Sequence, residues 1–390
     1  MRLFINGRFL TQPVSGVQRY ARELTNALDD LLADSAGLRA VLGPVEVLVP
    51  HEITLNRPDW RILGLRIIPG GRGHLWEQTT LYRASRRGVL LGLGNSGPLC
   101  HRAHVLTIHD AHIYQIPDAF STTYRTVHKA LRPRLARRAA ALISVSRYSA
   151  NRLGAFLGVS PDRFQIVHNA ADHILRAPVD PGTPARYGLV PGGYLMALGT
   201  QSPNKNLGAL IKAHGAAPPN LPDLALVGGG VPGLTHLEPD VAARVHVLGR
   251  VPDADLRGLY EGASGFVFPS LYEGFGIPPL EAMQLGVPVL SASTAALPEV
   301  LGEAPLWFDP RDPSSITGAL ARFSAMSWTE RGRRVELGRT RAEMYSWHKS
   351  AGDLVRVLLG VLHPETSADF DDPATRLGEC ARLQPLSLHR

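Results

Sequence analysis

Residues 266–290 read FVFPSLYEGFGIPPLEAMQLGVPVL, and this stretch decides the fold class. It opens with FVF, a short aromatic and β-branched run that is typical of a buried strand. The sequence EGFGIPP then supplies a glycine-bearing turn and two consecutive prolines. Proline favours the first turn of a helix, because its missing N–H would have no helical partner there. A second apolar run, VPVL, follows the helix. Strand, tight turn, helix and strand in this order form the repeating unit of a parallel α/β sheet.

Two acidic residues flank the turn. Glu273 lies in the loop, and Glu281 is expected in the first turn of a helix over residues 280–285. The free N–H groups and the dipole of a helix N-terminus attract anions. We therefore expect a diphosphate at this helix end, a ribose diol on Glu281 and a sugar on Glu273. The alternative is a helix-capping acid beside a solvated one. The combination of strand, glycine turn, double proline and second acid disfavours it.

Short apolar runs alternate with amphipathic helical runs along most of the chain. Strands are expected at 2–5, 45–49, 105–108, 141–145, 164–167, 194–198, 224–227, 245–248, 265–268 and 288–291. Such alternation predicts parallel sheets with helices on both faces. A segment rich in Pro and Gly, 177–193, is predicted to link an N-terminal domain, 1–176, to a C-terminal domain, 194–346. A helix over 347–362 and a loose tail over 363–390 are expected to follow.

The composition disfavours several classes of protein. No apolar run reaches 18 residues, so no transmembrane helix is expected, and the N-terminus does not resemble a signal peptide. Cys100 and Cys380 are the only cysteines, which fits a reducing cytoplasm better than a disulfide framework. The net charge is +7, and only four of the 41 cationic side chains are lysines. An arginine-rich surface suits anionic partners or reflects genomic base composition, and the sequence leaves both open.

Residues that directly follow a strand are the main site candidates, because ligands of open α/β sheets bind beyond the carboxyl ends of the strands. Gly16 and Arg19 open the helix after the first strand. His109 and Asp110 follow strand 105–108, where a neutral imidazole can hydrogen-bond a hydroxyl group. A purely structural histidine is the alternative. Arg19 faces either the site or solvent.

Two further loops follow strands of the C-terminal domain. Gly199 and a polar loop with one cation, Lys205, come after strand 194–198, and Arg250 and Val251 come after strand 245–248. A lysine in such a loop can bind a phosphate group, and a solvated surface lysine is the alternative. No HExxH or comparable metal-ligand spacing appears among the 15 histidines.

The motif EGFGIPPLEAMQLGVPVL resembles the Glu-x7-Glu signature of family 4 glycosyltransferases, which are retaining enzymes of the GT-B fold. Other segments resemble this family in the family's order: VLTIHDAHIYQIPDAFS, RLARRAAALISVSRYSANRL, FQIVHNAAD and STAALPEVLGEAPLWFDPRDP. The resemblance runs from about residue 5 to residue 362. It implies an α/β GT-B fold, in which two Rossmann-like, doubly wound parallel-sheet domains face each other across a cleft. The first would be the acceptor-side domain and the second the nucleotide-sugar-binding domain, with helix 347–362 crossing back to the first.

The resemblance also implies roles for individual residues. Catalytic roles fall on Glu273, His109 and Lys205. Donor contacts are implied for Gly16, Gly199, Lys205, Arg250, Val251, Glu273, Gly274, Phe275, Gly276, Ile277 and Glu281. Arg19 and Asp110 are expected on the acceptor side. The family has an arginine soon after the glycine at 199, but Thr200 and Gln201 stand here, so one phosphate contact is unassigned.

The activity that the resemblance implies is transfer of a hexose, with mannose the leading candidate, from a nucleotide sugar such as GDP-mannose or a UDP-hexose. The acceptor would be a glycan or a lipid-linked glycan in the synthesis of a bacterial cell-surface polysaccharide or exopolysaccharide. No metal ion and no other cofactor is implied. Two alternatives keep the fold. A nucleotide-sugar epimerase would need acid–base groups beyond those motifs, and a basic binding module would lack catalysis.

A basic helix is expected over residues 124–138, carrying Arg125, Lys129, Arg132, Arg134, Arg137 and Arg138. In a cytoplasmic protein, such a face either contacts the anionic inner surface of the plasma membrane or is simply solvated. Nucleic acid is not an expected partner, because no platform of interleaved aromatic and basic residues appears.

Overall fold

The protein contains two parallel β-sheets, and a computed structural model describes residues 2–53, 58–200, 202–229 and 238–364. The strands of the first sheet are β1 (Leu3–Asn6), β2 (Val45–Val49), β3 (Gly64–Ile67), β4 (Val89–Gly92), β5 (His104–Thr107), β6 (Ala141–Ser144) and β7 (Phe164–Ile166). Those of the second are β8 (Tyr194–Gly199), β9 (Asp223–Gly228), β10 (Val245–Gly249), β11 (Gly265–Phe268), β12 (Val289–Ala292) and β13 (Leu306–Phe308).

The strand orders are those of doubly wound sheets. They run β3-β2-β1-β4-β5-β6-β7 in the first sheet and β10-β9-β8-β11-β12-β13 in the second. Central strands such as β4 (VLLG) and β11 (GFVF) are buried throughout, as expected when helices cover both faces. The predicted α/β class is therefore confirmed. Three strands, β3, β4 and β13, were not named from the pattern. β3 (GLRI) is an edge strand and mostly exposed, whereas β4 (VLLG) and β13 (LWF) are short apolar runs that a strand and a buried helix can share.

Helices connect the strands and cover the sheets. Those before β8 are α1 (Gly16–Asp34), α2 (Ala36–Leu42), α3 (Gly73–Trp76), α4 (Tyr82–Ser85), α5 (His112–Gln115), α6 (Thr122–Arg138), α7 (Arg147–Leu157) and α8 (Thr183–Arg186). Those after it are α9 (Leu207–Gly215), α10 (Pro239–Ala242), α11 (Asp253–Glu261), α12 (Ile277–Gln284), α13 (Leu297–Leu301), α14 (Pro313–Ser324), α15 (Trp328–Glu343) and α16 (Trp347–Leu362). None of the helices in the described part of the chain has both the length and the apolarity that spanning a bilayer requires. We call the elements from β1 to β7 the first lobe and those from β8 to α15 the second lobe.

The last helix, α16, returns to the first lobe and packs on α1. Ser346 caps it, its first residue Trp347 is buried, and the Trp347 ring lies 6.1 Å from the ring of Tyr20 in α1. The predicted helix over 347–362 is confirmed. The expected tail lies almost wholly outside the described residues. The domain boundaries and the linker 177–193 stay predictions, although that segment contains α8 and buries Thr183.

The strand order reverses at one place in each sheet. β1 lies between β2 and β4, and β8 lies between β9 and β11. Loops that leave neighbouring strands at such a point turn to opposite faces, so a crevice opens at the carboxyl ends of the strands. The crevice of the second sheet receives Lys205 from the loop after β8 and Glu273 from the loop after β11.

One face of α6 is buried, and it includes Arg132, which was expected on the basic face of this helix. His128, Arg132, Leu135 and Ala136 are its buried residues. Positions 128, 132, 135 and 136 are separated by four, three and one residues, which places these side chains on a single helical face. The assignment of Arg132 to the exposed basic face was therefore wrong. The exposed cations of α6 are Lys129, Arg134, Arg137 and Arg138.

Gly228 at the end of β9 is a position where the fold requires glycine. Its φ is +125°, and a Cβ there would lie 1.8 Å from the Gly199 carbonyl oxygen. Gly228→Ala should lower the free energy of unfolding by more than about 2 kcal/mol, because backbone strain and a backbone clash coincide. Urea denaturation measures this.

Gly318→Ala is the matched control. Gly318 is exposed within α14, and a Cβ there would meet no atom within 4 Å. This change should stabilise the protein by about 0.5–1 kcal/mol. Equal unfolding midpoints for the two variants would contradict the backbone constraint at Gly228.

Candidate functional site

The loop between β11 and α12 depends on glycine for its shape. Gly276 precedes α12 with a φ of +108°, a conformation that strains other residues. A Cβ at this position would also lie 2.6 Å from Cδ2 of Leu297. The loop therefore turns sharply into the helix and keeps Glu273, three residues earlier, at the crevice of the second sheet.

Glu273 and Lys205 form an ion pair in that crevice. The Lys205 Nζ atom donates to Glu273 Oε1 at 2.6 Å, and both side chains are largely but not fully buried. The same Nζ lies 5.3 Å from the centre of the Phe268 ring. The structure thus brings together two of the predicted site residues, which lie 68 positions apart in sequence. An anionic ligand could replace Glu273 as the partner of the ammonium group.

The first lobe holds the Glu273 loop through a backbone carbonyl. The Gly274 oxygen accepts hydrogen bonds from the Ser146 hydroxyl at 2.7 Å and from the Ser149 hydroxyl at 3.1 Å. Both serines lie at the start of α7 and are buried. Any Cβ at position 274 would lie 2.8 Å from the Cβ of Asp110. Gly274 thus permits close contact between the lobes.

Glu299 strengthens this junction. Its carboxylate in α13 accepts the backbone N–H groups of Arg147 and Tyr148, each at 2.7 Å. These are among the first N–H groups of α7, which have no partner within their own helix. A second-lobe acid therefore caps a first-lobe helix, with the helix dipole favouring its negative charge.

His109 is buried in the loop between β5 and α5. Its Nε2 atom lies 2.9 Å from the Leu93 carbonyl oxygen, and its backbone N–H donates to Asn95 Oδ1 at 2.8 Å. Because a carbonyl only accepts, Nε2 carries the proton and Nδ1 is the free acceptor. Burial lowers the pKa of His109, which keeps the ring neutral. The Tyr20 ring packs edge to face on the His109 ring, with 4.8 Å between the ring centres, and helps to fix the orientation of His109.

Asp110 and His112 lie next to the Glu273 loop. Asp110 Oδ1 accepts the His112 backbone N–H at 2.9 Å, and the His112 ring lies 5.5 Å from the ring of Tyr272. Burial lowers the pKa of His112, and the charges of Glu273 and Lys205 also act on it. His112 was not among the predicted site residues. Its position at the start of α5, three residues after His109, is the sequence feature that could have identified it.

Glu281 is buried with two protein partners, and the ribose contact predicted for it stays a prediction. It is the fifth residue of α12, so it lies beyond the first turn, and it is 5% exposed. His173 Nε2 lies 2.9 Å from Oε1, and the Tyr260 hydroxyl donates to Oε2 at 2.9 Å. Burial, with the carboxylate beside it, raises the pKa of Tyr260 well above its usual value, so the hydroxyl stays a donor. The predicted helix start at residue 280 was wrong, because both prolines lie inside the helix.

A relay links Glu281 to the crossing helix. The Trp347 indole N–H donates to His173 Nδ1 at 3.1 Å. With Nδ1 accepting, His173 carries its proton on Nε2 and donates to Glu281. Both carboxylate oxygens are therefore engaged by protein donors, and any ribose contact has to use the remaining lone pairs.

The amino end of α12 also offers fewer donors than expected. Pro278 and Pro279 have no N–H group, so the first turn contributes the amide of Ile277, with that of Gly276 just before it. The helix dipole remains. An anion at this end would need a charged side chain as well, and Lys205 is the cation of the adjacent loop.

Arg19 faces the boundary between the lobes rather than open solvent. Its guanidinium pairs with Asp253 of the second lobe and lies 3.5 Å from Glu23. The charge of Glu281 also acts on it, since Glu281 contributes to raising the pKa of Arg19. Gly16 is the exposed first residue of α1, with no atom within 4 Å of a Cβ there.

The remaining predicted residues lie on the same edge of the second sheet. Gly199 ends β8 and is buried against Lys205 and Leu207. Arg250 and Val251 follow β10, and only Arg250 is exposed. Phe275 is buried in the Glu273 loop. Across the described stretches of the chain, no three His, Cys, Asp or Glu side chains cluster in a way that could hold a metal ion.

The relay can be tested by stability. Tyr260→Phe removes one buried donor to Glu281 and should lower the free energy of unfolding by about 1–3 kcal/mol. Tyr82→Phe is a suitable control, since the Tyr82 ring packs on His101 and its hydroxyl makes no hydrogen bond within the described residues. Thermal and urea unfolding of both variants check this. A Tyr260→Phe protein as stable as the control would show that the hydroxyl does not hold Glu281.

Two family models match the chain. The model described as "Glycosyl transferases group 1" matches residues 192–325, and "Glycosyltransferase Family 4" matches residues 82–174. Similar proteins include the O-antigen chain mannosyltransferase B of Escherichia coli, 34% identical over 62% of this chain and 66% of that protein. The serotype-specific mannosyltransferase WbdA of Escherichia coli is 28% identical over 62% of this chain. The chain spans slightly under two thirds of the first relative's length and about a third of the second's.

A further match is the GDP-mannose-dependent α-(1-6)-phosphatidylinositol monomannoside mannosyltransferase of Mycolicibacterium smegmatis. It is 28% identical over 76% of this chain and 77% of its own length.

Solved structures share the fold. The lipopolysaccharide glycosyltransferase WaaG superposes with a TM-score of 0.68 at 17% identity, covering 92% of this chain and all of that chain. HepE from Anabaena, in complex with UDP and glucose, gives the same TM-score at 17% identity, covering 92% of this chain and 98% of that one. At this identity the likeness shows the fold, two doubly wound sheets in the GT-B arrangement, and confirms that expectation. The two family models and the mannosyltransferase relatives support a family 4 glycosyltransferase.

Proposed function

We propose that this protein is a retaining glycosyltransferase that moves a hexose from a nucleotide sugar to a glycan acceptor, with mannose from GDP-mannose as the first candidate donor. The observation that carries the proposal is the meeting of Lys205, Glu273 and the His109–Asp110 segment where the two lobes touch. Relatives named as mannosyltransferases of O-antigen and phosphatidylinositol mannosides support the choice of sugar. Synthesis of a bacterial cell-surface or exopolysaccharide glycan is the matching role.

The proposed chemistry is cleavage of the bond between the anomeric carbon and the diphosphate. Negative charge then grows on the phosphate oxygens, and preorganised donors stabilise it. Lys205 is well placed for this if the diphosphate displaces Glu273 from its ammonium group. Glu273, once released, would orient sugar hydroxyls, and the free Nδ1 of His109 would accept from another. Retention, with attack from the side of the leaving group, is expected from the family.

The closed contact between the lobes suits this reaction. Gly274 and Glu299 are held by first-lobe groups, and the loop with Glu273 is thereby enclosed. Enclosure excludes water, and hydrolysis of the donor is the competing loss. Arg19 pairs with Asp253, which lies three residues after Arg250 of the loop proposed to contact the nucleobase, and its expected acceptor-side role stays a prediction.

Lys205→Met should lower kcat/KM for the donor about 100–1,000-fold, because one preorganised charge donor to the leaving group is lost. Lys212→Met is the matched control: Lys212 is exposed in the next helix, α9, and its loss should change kcat/KM less than twofold. Transfer and donor hydrolysis are both measured with labelled GDP-mannose. Equal rates for the two variants would remove Lys205 from the chemistry.

The donor can be identified by thermal shift. GDP-mannose, UDP-glucose, UDP-GlcNAc, ADP-glucose and dTDP-glucose are compared, each with and without EDTA. The true donor should add about 2.7 kcal/mol to the stability at 100 times its Kd. The shift should survive EDTA, because no metal is proposed. A folded protein that neither binds nor turns over any nucleotide sugar would overturn the proposed function.

We also propose that the exposed cations of α6 contact an anionic membrane surface. Lys129, Arg134, Arg137 and Arg138 are exposed, as are Tyr124 and Val127. Each cation near an anionic surface adds about 1 kcal/mol. Replacing all four by Gln should weaken sedimentation with phosphatidylserine vesicles at least tenfold. The matched control replaces four exposed second-lobe arginines: Arg311, Arg322, Arg333 and Arg339. An equal loss of vesicle binding in both variants would contradict a specific contact through α6, because net charge alone would then account for the binding.

A further inference from the structure

The first lobe buries a guanidinium group that has no ionic partner within the described residues. Arg132, on the inner face of α6, is 2% exposed. Its Nε donates to His128 Nδ1 and its Nη1 to the Asp110 carbonyl oxygen, both at 3.4 Å, which is long for such bonds. Removing a charge from water costs several kcal/mol unless a partner compensates. The two long hydrogen bonds compensate this cost only weakly, so the guanidinium keeps the capacity to bind an anion.

His128 adds a second donor that lacks an acceptor. Because arginine can only donate, His128 Nδ1 accepts and the neutral ring carries its proton on Nε2. That Nε2 is buried and has no hydrogen-bond partner in the described part of the chain. Burial and the charge of Arg132 lower the pKa of His128 to about 3, so the ring stays neutral near pH 7. Two hydrogen-bonded side chains thus present donors without an acceptor.

Nearby carboxylates do not supply the missing acceptor. Glu77 is fully buried, and its Oε1 already accepts from Asn6 and Ser96, each at 2.9 Å. Its Oε2 lies 2.9 Å from His74 Nδ1, and Arg8 lies 3.4 Å from Oε1. Asp110 Oδ1 accepts the His112 backbone N–H. Glu77 therefore matches the Arg8 charge, and no carboxylate oxygen of the described residues lies within ion-pair distance of the Arg132 guanidinium.

The unmatched donors are linked to the proposed reaction centre through Asp110, which the resemblance assigns to the acceptor side. Asp110 contacts both Arg132, through its carbonyl oxygen, and the Gly274 backbone next to Glu273. A row of rings joins the same two places. His112 packs 5.0 Å from Phe120, Phe120 stacks 5.5 Å from Tyr124, and Tyr124 lies 4.1 Å from His128. Phe120, Tyr124 and His112 are partly exposed and could line a sugar.

We propose that Arg132 and His128 form a subsite for an anionic group of the acceptor glycan, a phosphate or a carboxylate. The guanidinium would form the charge-assisted bonds that planar oxyanions favour, and His128 Nε2–H would donate a further one. The inference deepens the proposed function and rests on it. It names the class of acceptor, which the sequence alone leaves open.

The experiment compares three soluble acceptors with one donor. They are a neutral mannobioside, the same mannobioside bearing a phosphate monoester, and its uronic acid counterpart. The wild-type protein should prefer at least one anionic acceptor over the neutral one by about 10–100-fold in kcat/KM, the range for one or two charged hydrogen bonds. Whether phosphate or carboxylate wins identifies the group.

Arg132→Gln should abolish that preference by raising KM for the anionic acceptor, while donor hydrolysis changes less than twofold. Arg102→Gln, an exposed arginine of the same lobe, is the control and should keep the preference. If Arg132→Gln does not fold, His128→Gln and the wild-type preference still decide the question. A wild-type protein with equal kcat/KM for neutral and anionic acceptors, or a folded Arg132→Gln protein with unchanged preference, overturns the subsite.

Failure of the subsite is distinct from failure of the function. Donor hydrolysis and transfer to the neutral acceptor report on the glycosyltransferase activity, and neither depends on Arg132. Loss of both with every nucleotide sugar would instead refute the proposed activity. Inorganic phosphate gives an independent readout: it should raise the melting temperature of Lys205→Met and of Lys205→Met/Arg102→Gln, in which the proposed diphosphate site is weakened, and leave that of Lys205→Met/Arg132→Gln unchanged.

Discussion

One backbone carbonyl, that of Gly274, fixes the relation between the two lobes at the site. It accepts hydrogen bonds from the hydroxyl groups of Ser146 and Ser149, and the absence of a side chain at Gly274 lets Asp110 approach. Because Gly274 directly follows Glu273, this contact sets where the carboxylate stands relative to the first lobe. Glu299 secures the same junction by capping α7. The contact between the lobes at the candidate site thus depends on hydrogen bonds to main-chain atoms. It does not use the side chains of Lys205 and Glu273.

The charges in the crevice are paired with one another. Lys205 is matched by Glu273 and Arg19 by Asp253, so neither cation is left without a counter-ion. A diphosphate would exchange these partners instead of filling a vacant cationic pocket. Such exchange releases Glu273 at the moment when its carboxylate is needed for the sugar. Binding of the donor and release of the Glu273 carboxylate for the sugar would then occur in one step.

Hydrogen bonds through His173 connect Glu281 in the second lobe to Trp347 in the last helix, α16. Trp347, His173 and Glu281 lie on α16, on the segment after β7 and on α12, and they are joined by two buried hydrogen bonds. Buried polar groups are costly unless each one is satisfied, and here they are. The return of α16 to the first lobe therefore supports the same helix whose amino end faces the proposed diphosphate.

The sequence by itself determined the local features. Glycine and proline punctuation placed the turn before α12, alternation of apolar runs gave two parallel sheets, and the strand-end rule marked Glu273, Lys205 and His109. These follow from backbone sterics and side-chain periodicity, which neighbouring residues control. The burial of Arg132 could also have been predicted, because its spacing from Leu135 places both residues on one helical face. Its charge favoured the opposite prediction, a position on the surface.

Only the tertiary structure decided which polar groups meet. Glu281 was assigned to a ligand, yet its partners His173 and Tyr260 come from other elements, and so do the serines that hold Gly274. Such pairings depend on how whole helices and sheets pack, and sequence distance carries no information about them. The same packing buried Arg132 without a carboxylate partner and His128 Nε2 without an acceptor, as far as the described residues go. Burial is a property of the assembled lobe, and no single segment reveals it.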